Sequence, residues 1–365
     1  MDLEAYVMVK VAICGGGVIG TCVAHYLLEN GINSTIIEGS STACAASGKA
    51  GGFLARDWCC GSALEQFAKI SFNLHRELAI KLDGKSKYDY RPLEAYSLNL
   101  CEGASSGNSC HEWLNGSNVV ADSLKLIGST DTIAQLHPFK FVETLLNYNV
   151  SQGLNVMEGA AVSGILQSNN KLTGLTLSSG DTLECDAAVL TMGPWTGIAA
   201  DWASGLPSIY GQKAHSITIK PYKEIPAEAI FTEFGEYSPE IYPRPDGEVY
   251  ICGMAENRKP SSALPPPQSV VPTEGSCQKI KEMSNSVSSF LKDGEVSCGQ
   301  ACYLPLTHDG LPLIGRVPGV RGLFSGAGHG CWGILSAPAT GKALAELIAG
   351  KETDIDIIAF RLDRF

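Results

Sequence analysis

The chain has 365 residues, of which 44% are hydrophobic and 18% charged, with 27 basic and 38 acidic side chains and a net charge of −11. That length supports an ample core in one large unit or two interlocked ones, and the acidic balance excludes the basic face of a nucleic-acid binder. No apolar run reaches the roughly 18 residues of a membrane span, and the N-terminal residues lack the pattern of a secretory signal, so the expected compartment is the cytoplasm. The thirteen cysteines are scattered from Cys14 to Cys331 without a CxxC pair. Neither Cys59-Cys60 nor Cys110-His111 has zinc spacing, so no metal site is expected and the thiols read as reduced.

The first predicted element is the strand "VKVAIC", ending at Cys14. Three glycines follow, Gly15, Gly17 and Gly20, in the spacing GxGxxG. A helix is predicted from Val18 to Glu29, with Ile19, Val23 and Leu27 on one face, stopped by Asn30-Gly31. "NSTIIE" is a second strand ending on Glu38, next to Gly39. This is a βαβ unit of the dinucleotide-binding type. Gly15 permits the tight turn, Gly17 lets backbone approach a pyrophosphate, and Gly20 lets the helix pack close on the strand. Val18 and Ile19 open the helix, whose N-terminal N–H groups and partial positive charge suit phosphate. Glu38 can accept hydrogen bonds from a ribose and disfavours a 2′-phosphate. At this point NAD and FAD both remain open.

Further along come a small-residue loop, "GSSTACAASGKAGGFLARDW", with Ser47, Gly51 and Gly52, and then short strands within "AAVSGILQ", "KLTGLTLSSG" and "TLECDAAVLTMG". "HSITIK" and "GEVYICGM" alternate as antiparallel strands, with Asp246-Gly247 as a hairpin turn. "KPSSALPPPQSVVPT" reads as a surface loop, and "TEGSCQKIKEMSNSVSSFL" as an amphipathic helix. "GRVPGVRGLFSGAG" is a strand entering a glycine turn, and a helix from Ile334 to Ala349 follows as another N-terminus available to a cofactor.

Taken in order, these motifs resemble the D-amino acid oxidase/glycine oxidase/sarcosine oxidase superfamily of FAD-dependent oxidoreductases, over nearly the whole chain. The resemblance implies an α/β fold: a Rossmann-like FAD-binding domain of the glutathione-reductase type, interleaved with an antiparallel-sheet substrate domain. Residues 1–87, 138–200 and 300–365 are expected in the FAD domain, and 88–137 and 201–299 in the substrate domain. It implies FAD on the Gly15–Gly20 loop and Glu38, its pyrophosphate at the Ser47 loop, and its adenine against Val162. Gly193 and Trp195 would line the cofactor, and Gly328, His329, Gly330 and Ile334 would approach the flavin ring and ribityl chain. The activity implied is hydride removal from a carbon bearing an amine, with oxygen re-oxidising the flavin. The expected partner is thus a small-molecule amine.

The chain departs from this pattern at the substrate end. Where glycine oxidase-like enzymes place an arginine that binds the substrate carboxylate, the sequence has Leu304. Where sarcosine oxidases place a lysine after the GHG loop, it has Trp332. Arg56 lies near the position of another sarcosine-oxidase arginine, and reads equally as a surface or phosphate-facing side chain. Cys302 aligns with the cysteine that sarcosine oxidases join to FAD; a thioether and a simple buried thiol both remain open. His329, Lys213 and His215 are candidate catalytic groups, the last two as cations that would stabilise developing negative charge. The alternatives are a flavin dehydrogenase with another electron acceptor, and a flavin-bearing trafficking or redox-sensing protein without an amino-acid substrate.

Overall fold

The computed structural model describes residues 9–103, 111–233 and 237–365. Cys110 lies outside them. The opening unit forms as its sequence dictates: β1 (Val11–Cys14), α1 (Val18–Glu29) and β2 (Ser34–Glu38). All four residues of β1 are buried, as the continuous apolar run of a central parallel strand requires. It pairs in parallel with β2 on one side and with Ala187–Leu190 on the other. Asn155–Glu158 continues the sheet beyond β2 and Leu323–Ala327 beyond Ala187–Leu190, both in parallel, and Leu313–Arg316 closes the far edge antiparallel. Segments far apart in sequence thus build one six-stranded sheet around β1.

The helix Gly333–Ile348 packs along α1 and carries Pro338 in its interior. A proline has no N–H, so the carbonyl of Ile334, four residues back, loses its helical donor. His75, on the helix Glu65–Lys81, makes up the loss: its Nε2 lies 2.8 Å from the Ile334 carbonyl oxygen. Ser71, one turn earlier, donates to the Leu335 carbonyl (2.6 Å) and accepts from the Ala339 N–H (3.1 Å). These contacts fix the N-terminal turn of the final helix, which faces the cavity described below.

A second sheet of seven strands is ordered Glu295–Leu306, Tyr210–Lys220, Val249–Pro260, Glu240–Pro243, Glu228–Glu233, Glu94–Asn99 and Lys125–Gly128. Its pairings are antiparallel except for Glu94–Asn99 with Glu228–Glu233. Alternation sorts its faces. Ile217, Ile219, Ile241 and Ile251 enter a core with Ile280, Met283 and Val287 of the helix Ser276–Val287. Glu240, Tyr242, Tyr250 and Cys252 point the other way, into the cavity. Two three-stranded sheets complete the fold, one of them joining Phe53–Ala55, Ile133–Gln135 and Arg91–Pro92.

Several boundaries differ from the sequence reading. The strand Glu295–Leu306 runs across position 300. Arg91–Pro92 and Ile133–Gln135 pair with Phe53–Ala55 and not with the large sheet. The turn at Asp246-Gly247 joins Glu240–Pro243 to Val249–Pro260, closed by the Gly247 N–H on the Arg244 carbonyl (3.1 Å). The predicted amphipathic helix stops at Val287, where Ser288 leaves helical geometry and caps a short second turn, Ser289–Lys292. The proline-rich segment begins inside a strand and holds two 3-10 turns, Ser261–Ala263 and Pro267–Ser269. It also lines the cavity through Pro266, Pro267 and Gln268. The Trp195 indole N–H holds it there, donating to the Pro265 carbonyl at 3.0 Å.

Candidate active site

A cavity of about 1130 Å³ runs from the C-terminal end of β1 to the inner face of the seven-stranded sheet. This exceeds the roughly 300–1,000 Å³ typical of a single small-ligand site. Open α/β sheets bind ligands outside the carboxyl ends of their strands, and one end of the cavity lies there.

At that end the backbone is shaped for close approach. Gly15 has φ +111°, and a Cβ there would lie 2.6 Å from the Thr191 carbonyl oxygen. A Cβ on Gly20 would lie 2.1 Å from the Gly15 carbonyl oxygen, so only glycine lets α1 sit this close to β1. The first turn of α1 carries no acidic side chain and no side-chain cap on Gly17; its partial positive charge is free to act on an anion. The Val18 N–H is held by Ser47 Oγ at 2.9 Å, tying the second glycine-containing loop to the helix start. Glu38 braces the turn: Oε2 accepts from the Gly16 N–H (2.8 Å) and Oε1 from the Ser40 N–H (2.9 Å).

Of the residues singled out from sequence, the cavity is lined by Gly15, Gly17, Val18, Ile19, Glu38, Gly39, Ser47, Gly51, Gly52, Val162, Gly193, Trp195, His215, Cys302, Leu304, His329, Gly330, Trp332 and Ile334. Gly20, Gly328, Arg56 and Lys213 are not among its lining residues. Gly20 acts from behind, through helix packing. Arg56 is half-exposed beside Asp57, 3.6 Å away. Lys213 turns to Thr273 Oγ1 (2.9 Å) and Glu256 (3.9 Å). Register shifts in the strand Tyr210–Lys220 on either side of Ala214-His215 disturb the alternation there, and Ala214, His215 and Ser216 line the cavity in succession.

Burial lowers the pKa of both lining histidines, His329 and His215. His329 is buried, and burial pushes its pKa down to about 3. Its Nε2 lies 2.9 Å from Thr340 Oγ1. The Thr340 hydroxyl spends its own proton on the Ser336 carbonyl, so it accepts from a neutral His329 carrying the proton on Nε2. His215 is lowered in pKa, chiefly by burial, against the pull of Glu256. Its Nε2 accepts from the Thr273 N–H at 3.2 Å. Cys302 is partly buried, and its desolvation raises the thiol to about 11, with Lys49 acting in the opposite sense. That favours the protonated thiol over the thiolate a thioether needs.

The end of the cavity near the seven-stranded sheet is a wall of rings that the sequence reading missed. Phe53 lies 5.0 Å from Trp58, 5.0 Å from Phe231 and, stacked, 5.3 Å from Tyr242, centroid to centroid. Trp332 packs against the same cluster. Glu240 sits among them: its Oε2 accepts from the Tyr242 hydroxyl (2.5 Å) and lies 3.6 Å from the Cys252 thiol. Burial raises its pKa, against these two hydrogen bonds. Among the described residues no group of three His, Cys, Asp or Glu side chains is placed to hold a metal.

A family model for FAD dependent oxidoreductases, DAO, matches residues 10–347. The chain belongs to this family. The DAO chain is 30% identical to a candidate oxidoreductase of Schizosaccharomyces pombe, C1F5.03c, over 96% of its own length and 97% of the relative. It is 28% identical to TDA3 of Saccharomyces cerevisiae, also described as a candidate oxidoreductase, over 95% of its own length and 93% of that protein. Among solved structures, glycine oxidase from Geobacillus kaustophilus superimposes with a TM-score of 0.82 at 23% identity, covering 98% of this chain and 99% of that one, a likeness that establishes the α/β fold. The enzyme is therefore a FAD-dependent oxidoreductase. The helix end without an acidic side chain, the glycine turn that a Cβ would fill, and the size of the cavity all suit that cofactor.

Proposed function

We propose that this chain oxidises a C–N bond of a small amine or amino-acid-like molecule, with oxygen as the electron acceptor. The observation that carries the reading is one continuous cavity, with a dinucleotide-type turn at one end and an aromatic wall at the other. We place the FAD domain in the discontinuous segments around the six-stranded sheet, and the substrate domain on the seven-stranded sheet. In this reading the α1 N-terminus, Ser47 and Glu38 hold the ADP half of FAD, and Val162 meets the adenine. Gly193, Trp195, His329, Gly330 and Ile334 flank the flavin ring and its ribityl chain. Bound FAD supplies a two-electron acceptor for the hydride on the carbon next to nitrogen, leaving an imine for water to hydrolyse, and oxygen takes the electrons on to peroxide.

The protein's own work is positioning. The rings of Phe53, Trp58, Phe231 and Tyr242 exclude water and orient an apolar body. His329, neutral and fixed by Thr340, offers a hydrogen-bonding imidazole without adding charge. Leu304 and Trp332 replace the cationic positions expected of amino-acid oxidases, so the pocket favours an amine over a simple amino acid. No helix of the described residues is long and apolar enough to cross a membrane, and the twelve described cysteines are free; both fit a cytoplasmic enzyme.

Peroxide release from a panel of primary and secondary amines tests the proposal. Peroxide formed in step with substrate loss supports an oxidase. Substrate loss that requires an added dye and yields no peroxide supports a dehydrogenase instead.

A further inference from the structure

Glu240 has a surrounding that the assigned chemistry does not use. It comes from the strand Glu240–Pro243, opposite Cys252 in the neighbouring strand, and both side chains line the cavity. One carboxylate oxygen is engaged by Tyr242 and Cys252. Among the described residues no donor reaches the other, Oε1. No lysine or arginine lines the cavity, and the residues outside the description, 1–8, 104–110 and 234–236, contain none. Glu240 and Cys331, the residue after Gly330, line the same cavity, so the carboxylate shares it with the turn that flanks the flavin ring in the reading above. The rings of Phe53, Trp58, Phe231, Tyr242 and Trp332 complete the wall.

A lone carboxylate in an aromatic, cation-free recess has a definite preference. An ammonium gains the carboxylate charge and the electron-rich ring faces. A carboxylate ligand meets a like charge with nothing to offset it, and its burial unpaired is costly. We infer that Glu240 and the surrounding rings form an ammonium-binding subsite, and that the substrate is a cationic amine with an apolar body and no carboxylate. This rests on the amine-oxidising reading and narrows its substrate class.

The test uses the FAD-loaded protein and two probes of similar size, benzyltrimethylammonium and benzoate. The first has no nitrogen lone pair and cannot be turned over, so binding is read without catalysis, by calorimetry and by the shift of the flavin bands. Benzyltrimethylammonium is expected to bind at least about tenfold more tightly than benzoate, and Glu240→Gln to lose at least about tenfold of that affinity. Equal or tighter binding of benzoate overturns the inference, and this comparison needs no variant to fold. Unchanged affinity in a flavin-loaded Glu240→Gln protein also overturns it. The oxidase reading fails separately if the ammonium binds as expected while no amine reduces the flavin.

Discussion

Gly20→Ala is a one-methyl perturbation whose cost can be worked from the structure. The new Cβ would stand 2.1 Å from the Gly15 carbonyl oxygen, 2.9 Å from Thr191 Oγ1 and 3.1 Å from Ile13 Cγ2. The first of these is backbone in the tight turn, and Thr191 is itself committed, donating to the Cys14 carbonyl at 2.9 Å. Neither can yield by a rotamer change, so α1 must move off β1. Overpacking of this kind costs about 1–3 kcal/mol, and contact with fixed backbone places it at the upper end. Alanine returns about 1 kcal/mol of helix propensity. The net expectation is a loss of about 2 kcal/mol. The displacement also carries the Gly15–Gly17 turn away from its cofactor-facing position. The variant should therefore purify with a lower ratio of flavin to protein absorbance and a lower melting temperature than the parent. Full flavin occupancy with an unchanged melting temperature would refute the argument that Gly20 sets the helix–strand distance.

Three further expectations follow from the same geometry. Glu38→Ala removes the acceptor of the Gly16 and Ser40 N–H groups; hydrogen bonds to a charged group contribute about 1.5–3 kcal/mol, so FAD affinity, measured by titrating apoprotein, should fall at least about tenfold. His329 and His75 are held neutral by burial, with pKa values lowered to about 3 and about 4. The unfolded chain binds those protons below about pH 6.5, so stability is present above that value and is lost as pH falls from there toward 4. Each buried imidazole should cost about 2 kcal/mol by pH 5, seen as a lower urea midpoint at pH 5 than at pH 7.5; an unchanged midpoint would contradict it. Because the Cys302 thiol is held protonated, acid precipitation should release the flavin into the supernatant, and colour retained in the pellet would show a covalent link.

The cofactor end of the site was legible because its signal is local. A strand, a glycine turn, a helix and a second strand ending in Glu38 lie within one short segment, and each step follows from its own residues. The substrate end was not, because its parts meet only through sheet pairing. Glu240 sits in "SPEIYP" with no pattern to mark it; its role appears when alternation turns it, with Tyr242, away from the helix-covered core. Lys213 looked as close to the cavity as His215, but the register shifts around Ala214 break the alternation that would have placed both. The support of Ile334 by His75 joins residues 259 positions apart. Pro338 alone hinted that some carbonyl there would need a donor.

The central claim is tested most directly by an anaerobic titration of the purified, FAD-loaded protein with amines, followed by readmission of air. The account predicts that the flavin absorbance bleaches with at least one amine lacking a carboxylate, and returns with oxygen as peroxide appears. Protein that carries flavin, is reduced by dithionite, and is bleached by no amine would contradict it.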